Sequence, residues 1–166
     1  ENGAALTGDA LGRTGMPGDR AMNFPNIAGN RVRVAAAATG GLDAITASNQ
    51  VTVSVWMYGD ASQPQPDSLF YGDDTTSGGG TRQINAHTPW SDSTFYWDTA
   101  GCCGSSTRIS VAVPDSTKWR GQWNHYVFIK NGSTKQIWQN GALLTEGTNT
   151  AAFGLIRSFF IGSAPQ

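Results

Sequence analysis

The stretch WNHYVFIKNGSTKQIWQNGALLT, residues 123–145, decides the fold of this chain. It holds two Asn-Gly pairs, Asn131–Gly132 and Asn140–Gly141, nine positions apart and each set between apolar runs. Asn-Gly favours the two-residue type I′ hairpin turn, in which both central residues take positive φ. The spacing therefore predicts three consecutive antiparallel strands: Trp123–Lys130, Lys135–Gln139 and Leu143–Thr145.

Outward from this meander the same period of two recurs. In Val51–Tyr58, Val51, Val53, Val55 and Met57 form one face, and Thr52, Ser54, Trp56 and Tyr58 the other. Ser68–Gly72, Arg82–His87, Thr94–Asp98, Arg108–Val113 and Arg157–Gly162 read as further strands. Ala21–Phe24 and Arg31–Val34 are expected to pair with each other. Ala35–Ala38 could form a helical turn that Gly40–Gly41 stops, and Asp73–Gly80 reads as a polar loop. Residues 1–20 are a Gly-rich lead-in with at most one short strand. With no repeat and no linker, residues 1–166 are expected to be one domain, an all-β antiparallel sandwich with less than about a tenth of its residues helical.

Composition agrees with this. Of 166 residues, 21 are Gly and only 14% are charged, with two Glu and three Lys, a poor supply for long surface helices. A net charge of -1 without a basic run argues against a nucleic-acid partner, and no apolar run is long enough to insert in a membrane. Few thiols and many hydroxyl and amide side chains suggest a secreted protein. The start at Glu1 without Met suggests a processed or excised piece of a larger one.

Trp123-Asn124-His125-Tyr126-Val127-Phe128, followed by Ile137-Trp138-Gln139-Asn140-Gly141, resembles the core of laminin G-like domains of the concanavalin A-like jelly-roll superfamily. Phe160-Ile161-Gly162-Ser163 looks like that family's next strand, and Val53-Ser54-Val55-Trp56 like its earlier strand with a buried Trp. His87-Thr88-Pro89-Trp90-Ser91-Asp92, with Tyr96-Trp97-Asp98 and Arg108-Ile109, is similar to a subgroup in large bacterial surface proteins. The resemblance covers residues 21–163 and implies a jelly roll at the bacterial cell surface or outside the cell. It also implies burial of Trp56, Trp123 and Trp138. The family's opening aromatic-acidic strand and closing acidic strand are missing, so either the chain is an excised fragment or copies of the chain or neighbouring domains act as partners that complete the sheets.

Catalysis finds little support. Glycosidases of this fold set two carboxylates about the scissile bond, yet the two Glu, Glu1 and Glu146, lie far apart in sequence. The Asp pairs Asp73–Asp74, Asp92–Asp98 and Asp60–Asp67 remain, and adjacent Asp residues on a strand face opposite ways. The chain is read as a non-enzymatic module that binds a glycan or another surface ligand, the alternative being a structural or adhesion module. The candidate ligand-binding residues are His87, Trp90, Asp92, Tyr96, Trp97, Asp98 and Arg108, where rings can stack on sugar C–H faces and polar neighbours bond hydroxyls. Asp98 could instead pair with Arg108 and pin the following loop. Calcium is the one cofactor considered: laminin G-like relatives bind it at a sandwich edge, and Asp73 and Asp74 offer hard oxygen ligands. Cys102 and Cys103 are adjacent, so they form a vicinal disulfide, remain free thiols or bridge to another chain; they lack the two-residue spacing of zinc sites.

Overall fold

A computed structural model describes residues 3–25, 29–34 and 42–164. Among these, twelve strands follow in chain order: β1 (Ala5–Leu6), β2 (Met22–Asn23), β3 (Val32–Val34), β4 (Gln50–Tyr58), β5 (Phe70–Asp73), β6 (Arg82–His87), β7 (Thr94–Thr99), β8 (Arg108–Ala112), β9 (Trp123–Asn131), β10 (Thr134–Gln139), β11 (Ala142–Thr148) and β12 (Ser158–Ile161). One helix, α1 (Asp43–Ser48), and a 3-10 turn at Ser116–Lys118 interrupt them. The fold is the expected all-β sandwich. A six-stranded sheet, β3-β12-β5-β6-β7-β8, packs on a four-stranded sheet, β11-β10-β9-β4, and β1 and β2 form a small ribbon.

The meander β9-β10-β11 forms as predicted, but its two turns differ. Gln139 pairs with Ala142 across Asn140 and Gly141, which take φ 50° and 82°, the signs a type I′ turn requires. In the first hairpin Asn131 pairs with Thr134, so the loop is Gly132–Ser133. Only Gly132 takes positive φ there, the pattern of a type II′ turn. Asn131 is the last residue of β9, one place away from its expected turn position.

Period two sorts the side chains. Val51, Val53, Val55 and Met57 of β4 pack against the core, as do Tyr126 and Phe128 of β9 and Ile137 of β10. Phe70, Phe95 and Trp97 meet them from the six-stranded sheet: ring centroids lie 5.5 Å apart for Phe70–Phe128 and Phe95–Tyr126, and 5.6 Å for Trp97–Phe128. Trp97 also donates its indole N–H to the Ile129 carbonyl, 3.0 Å away, so it both fills the core and ties the sheets together.

Three expectations are corrected. The strands containing Met22 and Val34 do not pair with each other: β2 pairs with β1, and β3 with β12, the last strand. That long-range partner is invisible to local pattern. Trp56, Trp123 and Trp138 are not core residues. Because inner-face positions on β4, β9 and β10 are already taken, alternation sends these rings to the outer face of the four-stranded sheet, and Trp56 is 46% exposed. The short helix α1 was not anticipated; the helical turn considered for Ala35–Ala38 lies outside the described residues.

Candidate functional site

Since Phe95 and Trp97 face the core, Tyr96 and Asp98 of β7 face outward from the six-stranded sheet. Register places Asn85 of β6 and Arg108 of β8 on either side of Asp98, and His87 and Ser110 on either side of Tyr96. These side chains form one polar face.

Asp98 is its centre. Its carboxylate is wholly buried, and Arg108 grips it with two bonds, Nε to Oδ1 at 2.5 Å and Nη2 to Oδ2 at 2.8 Å. Arg82 adds a third, Nη1 to Oδ2 at 2.5 Å. Burial alone would push this carboxyl upward, but the bonds and charges of Arg108 and Arg82 outweigh it and hold it below its ordinary value. The Arg side chains keep 23% and 20% of their exposure, so the buried anion presents two oriented guanidiniums at the surface. Asp98 therefore does not face a ligand, and the pairing with Arg108 considered above is the arrangement found.

His87 is also structural. Nδ1 lies 2.5 Å from the Asp67 carbonyl and Nε2 2.8 Å from Asn85 Nδ2, a pairing that suits a neutral ring protonated on Nδ1. Burial pulls its pKa down to about 4, against smaller upward contributions from the Asp67 bond and the Asp98 charge. The Oδ1 atom of Asn85 is buried without a hydrogen-bond partner among the described residues.

The reachable surface surrounds this floor. Trp90 opens the β6–β7 turn, held by Trp90 N to Thr94 O at 2.9 Å and Ser93 N to Trp90 O at 2.8 Å. It is half-buried, with its ring in edge contact with His87 at 4.4 Å. Tyr96 is half-buried, covered on one face by Arg108 at 4.1 Å, and donates its hydroxyl to exposed Asp92 at 2.6 Å. Trp97 is 0% exposed on the opposite side of the sheet and does not belong to this surface. Arg82, which the sequence reading did not select, does, and Asn85, fully buried, belongs to the floor beneath it; alternation along β6 from His87 would have found Asn85.

Cys102 and Cys103 are bonded to each other, and both are exposed in the β7–β8 loop. Cys102 Sγ lies 3.2 Å from Arg82 Nη1 and 4.0 Å from Arg108 Nη2, so the loop forms one lip of the guanidinium surface.

The calcium expectation fails the test of the residues present. Asp73 is buried, and its Oδ1 accepts from Thr75 N at 3.1 Å, Thr75 Oγ1 at 3.2 Å and Ser158 Oγ at 2.6 Å; its Oδ2 accepts from Gly80 N at 3.0 Å. These bonds engage both oxygens of the buried carboxylate within the protein and fasten the loop after β5. Asp74 accepts from Thr81 N at 2.8 Å. Among the described residues no three His, Cys, Asp or Glu side chains gather to hold a metal.

Comparison with known families matches residues 29–166 to a laminin G model described as the concanavalin A-like lectin/glucanases superfamily. Domain 4 of an extracellular GH43 arabinanase from Geobacillus stearothermophilus, solved with arabinotriose, aligns at TM-score 0.51 and 22% identity over 72% of this chain and 54% of its own. A Ruminococcus gnavus sialidase CBM40 bound to α2,3 sialyllactose aligns at TM-score 0.52 and 14% identity over 74% and 68%. Domains LG4-5 of the mouse laminin α1 chain align at 0.52 and 10% over 70% and 28%. The chain thus spans about half of the arabinanase domain's length and about a quarter of the laminin pair's. The comparison with curated proteins gave no match.

Proposed function

The chain belongs to the concanavalin A-like lectin/glucanases superfamily, and from that premise we propose that it is a non-catalytic, carbohydrate-binding domain of a secreted or cell-surface protein. The observation that carries this reading is the outer face of the six-stranded sheet, where a buried carboxylate orients two surface guanidiniums beside a half-buried Trp90. A sugar ring stacks on Trp90, Arg82 and Arg108 donate to its hydroxyls, and Asp92 accepts from them. Solved likenesses carrying arabinotriose and sialyllactose support an oligosaccharide as ligand. The non-catalytic part rests on the carboxylates: Asp98, held ionised by two Arg, neither gives nor takes a proton.

A glycan array on the purified domain, followed by titration of the best oligosaccharide, tests the reading. Trp90→Ala is expected to abolish binding while the melting temperature falls only slightly. Should it instead unfold the domain with a core-like loss of about 3–5 kcal/mol, the ring is structural and the proposal loses its anchor. The Cys102–Cys103 bond belongs to the same proposal. Intact mass after alkylation without reductant should show no modified thiol, and two alkylated thiols would contradict it.

A further inference from the structure

The β7–β8 loop carries chemistry that the Trp90 surface does not use. Cys102 and Cys103 are bonded to each other and both are exposed, so a thiol in solution can reach either sulfur. The two sulfurs differ in their surroundings. Cys102 Sγ lies 3.2 Å from Arg82 Nη1 and 4.0 Å from Arg108 Nη2, whereas Cys103 Sγ has no hydrogen-bonding or charged neighbour among the described residues. The loop is also unevenly tethered. Thr107 N and Arg108 N both donate to Gly104 O, at 2.9 and 2.8 Å, and Thr99 N donates to Thr107 O at 2.9 Å. Lys135 Nζ adds a bond to Thr107 O at 3.1 Å. Cys102 and Cys103 make no backbone hydrogen bond among the described residues. Cys103 moreover holds φ at 77°, a left-handed value that is unfavourable for a residue with a Cβ. The ring through the two sulfurs and the Arg82 contact are what keep this half of the loop in place.

We propose that Cys102–Cys103 is a thiol–disulfide exchange site for small thiols, in which Cys103 is the sulfur attacked and Cys102 the sulfur released. An incoming thiolate bonds to Cys103 Sγ as the bond between the two cysteines breaks, and the electron pair of that bond leaves on Cys102 Sγ. The product is a mixed disulfide on Cys103 and a thiolate on Cys102 beside Arg82. A second small thiolate attacks the small-molecule sulfur of the mixed disulfide, which releases the Cys103 thiolate and a small-molecule disulfide. Two small thiols are thereby oxidised and the protein disulfide is reduced to two thiols. The direction of attack follows from the leaving group: exchange is faster when the departing thiolate is more stable, and only the one on Cys102 forms against guanidiniums. The negative charge of Asp98 opposes this. That carboxylate is wholly buried and already gripped by both Arg, whose side chains keep 23% and 20% of their exposure. Opening the ring also frees Cys103 to leave its left-handed backbone. The exchange rests on the native Cys102–Cys103 bond and is independent of sugar binding.

Folded wild-type protein incubated with reduced glutathione without denaturant, quenched with an alkylating reagent and read by intact mass and peptide fragmentation, tests this. Glutathione is expected to open the bond, and the trapped mixed disulfide should sit on Cys103 in about fivefold to tenfold excess over Cys102. Arg82→Gln should bring the two positions close to equal and slow opening about threefold to fivefold, and Arg82→Lys, which restores the charge, should recover part of both. The wild-type ratio needs no variant, so it decides the matter even if Arg82→Gln does not fold. A bond that glutathione leaves intact in the folded protein overturns the proposal. So does a wild-type mixed disulfide shared equally or favouring Cys102, or a ratio that a folded Arg82→Gln leaves unchanged. Two thiols alkylated before any reductant is added would remove the bond and this proposal with it. The glycan array judges the Trp90 reading separately, so failure of one is told from failure of the other.

Discussion

Lys130 and Lys135, two of the three lysines, are buried with their ammonium groups on backbone carbonyls. Lys135 Nζ donates to Trp97 O at 2.6 Å and Thr107 O at 3.1 Å, Lys130 Nζ to Gly132 O at 2.8 Å and Asn149 O at 3.2 Å. Burial depresses both, Lys135 to about 7 against an ordinary 10.5, despite an upward pull from Asp98. Between these values the unfolded chain holds more protons than the folded one, so stability rises with pH. Denaturant melts should show a gain of about 2 kcal/mol from pH 7 to about pH 9, and Lys135→Met should flatten that slope. A flat wild-type profile would show that the ammonium is not penalised. Asp98 behaves oppositely. Asp98→Asn strands two Arg around a neutral amide and should cost about 2–4 kcal/mol by thermal or chemical denaturation, somewhat less than a fully buried broken pair because both guanidiniums reach solvent. A loss below about 1 kcal/mol would mean that Asp98 does not organise the face.

Elements were more legible than residues. Arg82–His87 matches β6, and the other expected strands fall within about two residues of β4, β5, β7–β10 and β12, while Leu143–Thr145 stops three residues short of the end of β11, where no apolar alternation marks the strand. The Asn140–Gly141 turn was readable because Asn-Gly tolerates the positive φ that both positions of a type I′ turn require. At Gly141, φ 82°, an added Cβ meets nothing within 4 Å, so Gly141→Ala should cost about 1 kcal/mol in a melt, purely from backbone strain. A loss above about 3 kcal/mol would indicate packing as the cause. The partners of β2 and β3 were not legible, since their pairings are set by the closing of the sandwich. Nor was the exposure of Trp56: alternation gave its face, but the resemblance assigned that face to the core.

For the whole molecule, the sequence singled out a segment that builds one sheet face and misjudged which of its groups reach the surface. Segment 87–108 does build one face, yet His87 and Asp98 are its buried scaffold and Trp97 belongs to the core behind it. The reachable groups are Trp90, Tyr96, Asp92 and the two Arg, and Arg82 enters only through cross-strand neighbours that a linear reading cannot rank. The described residues contain no helix long and apolar enough to cross a membrane.

The six Trp side chains make one measurement decisive: the indole N–H signals followed by NMR while the best-binding oligosaccharide from the array is added. Trp90 is predicted to shift with saturation, while Trp97 and Trp119, both at most 1% exposed and bonded through their indoles to Ile129 and Val113 carbonyls, stay in place. A saturable binder that leaves the Trp90 signal unmoved would contradict the assignment of the six-stranded face as the sugar site.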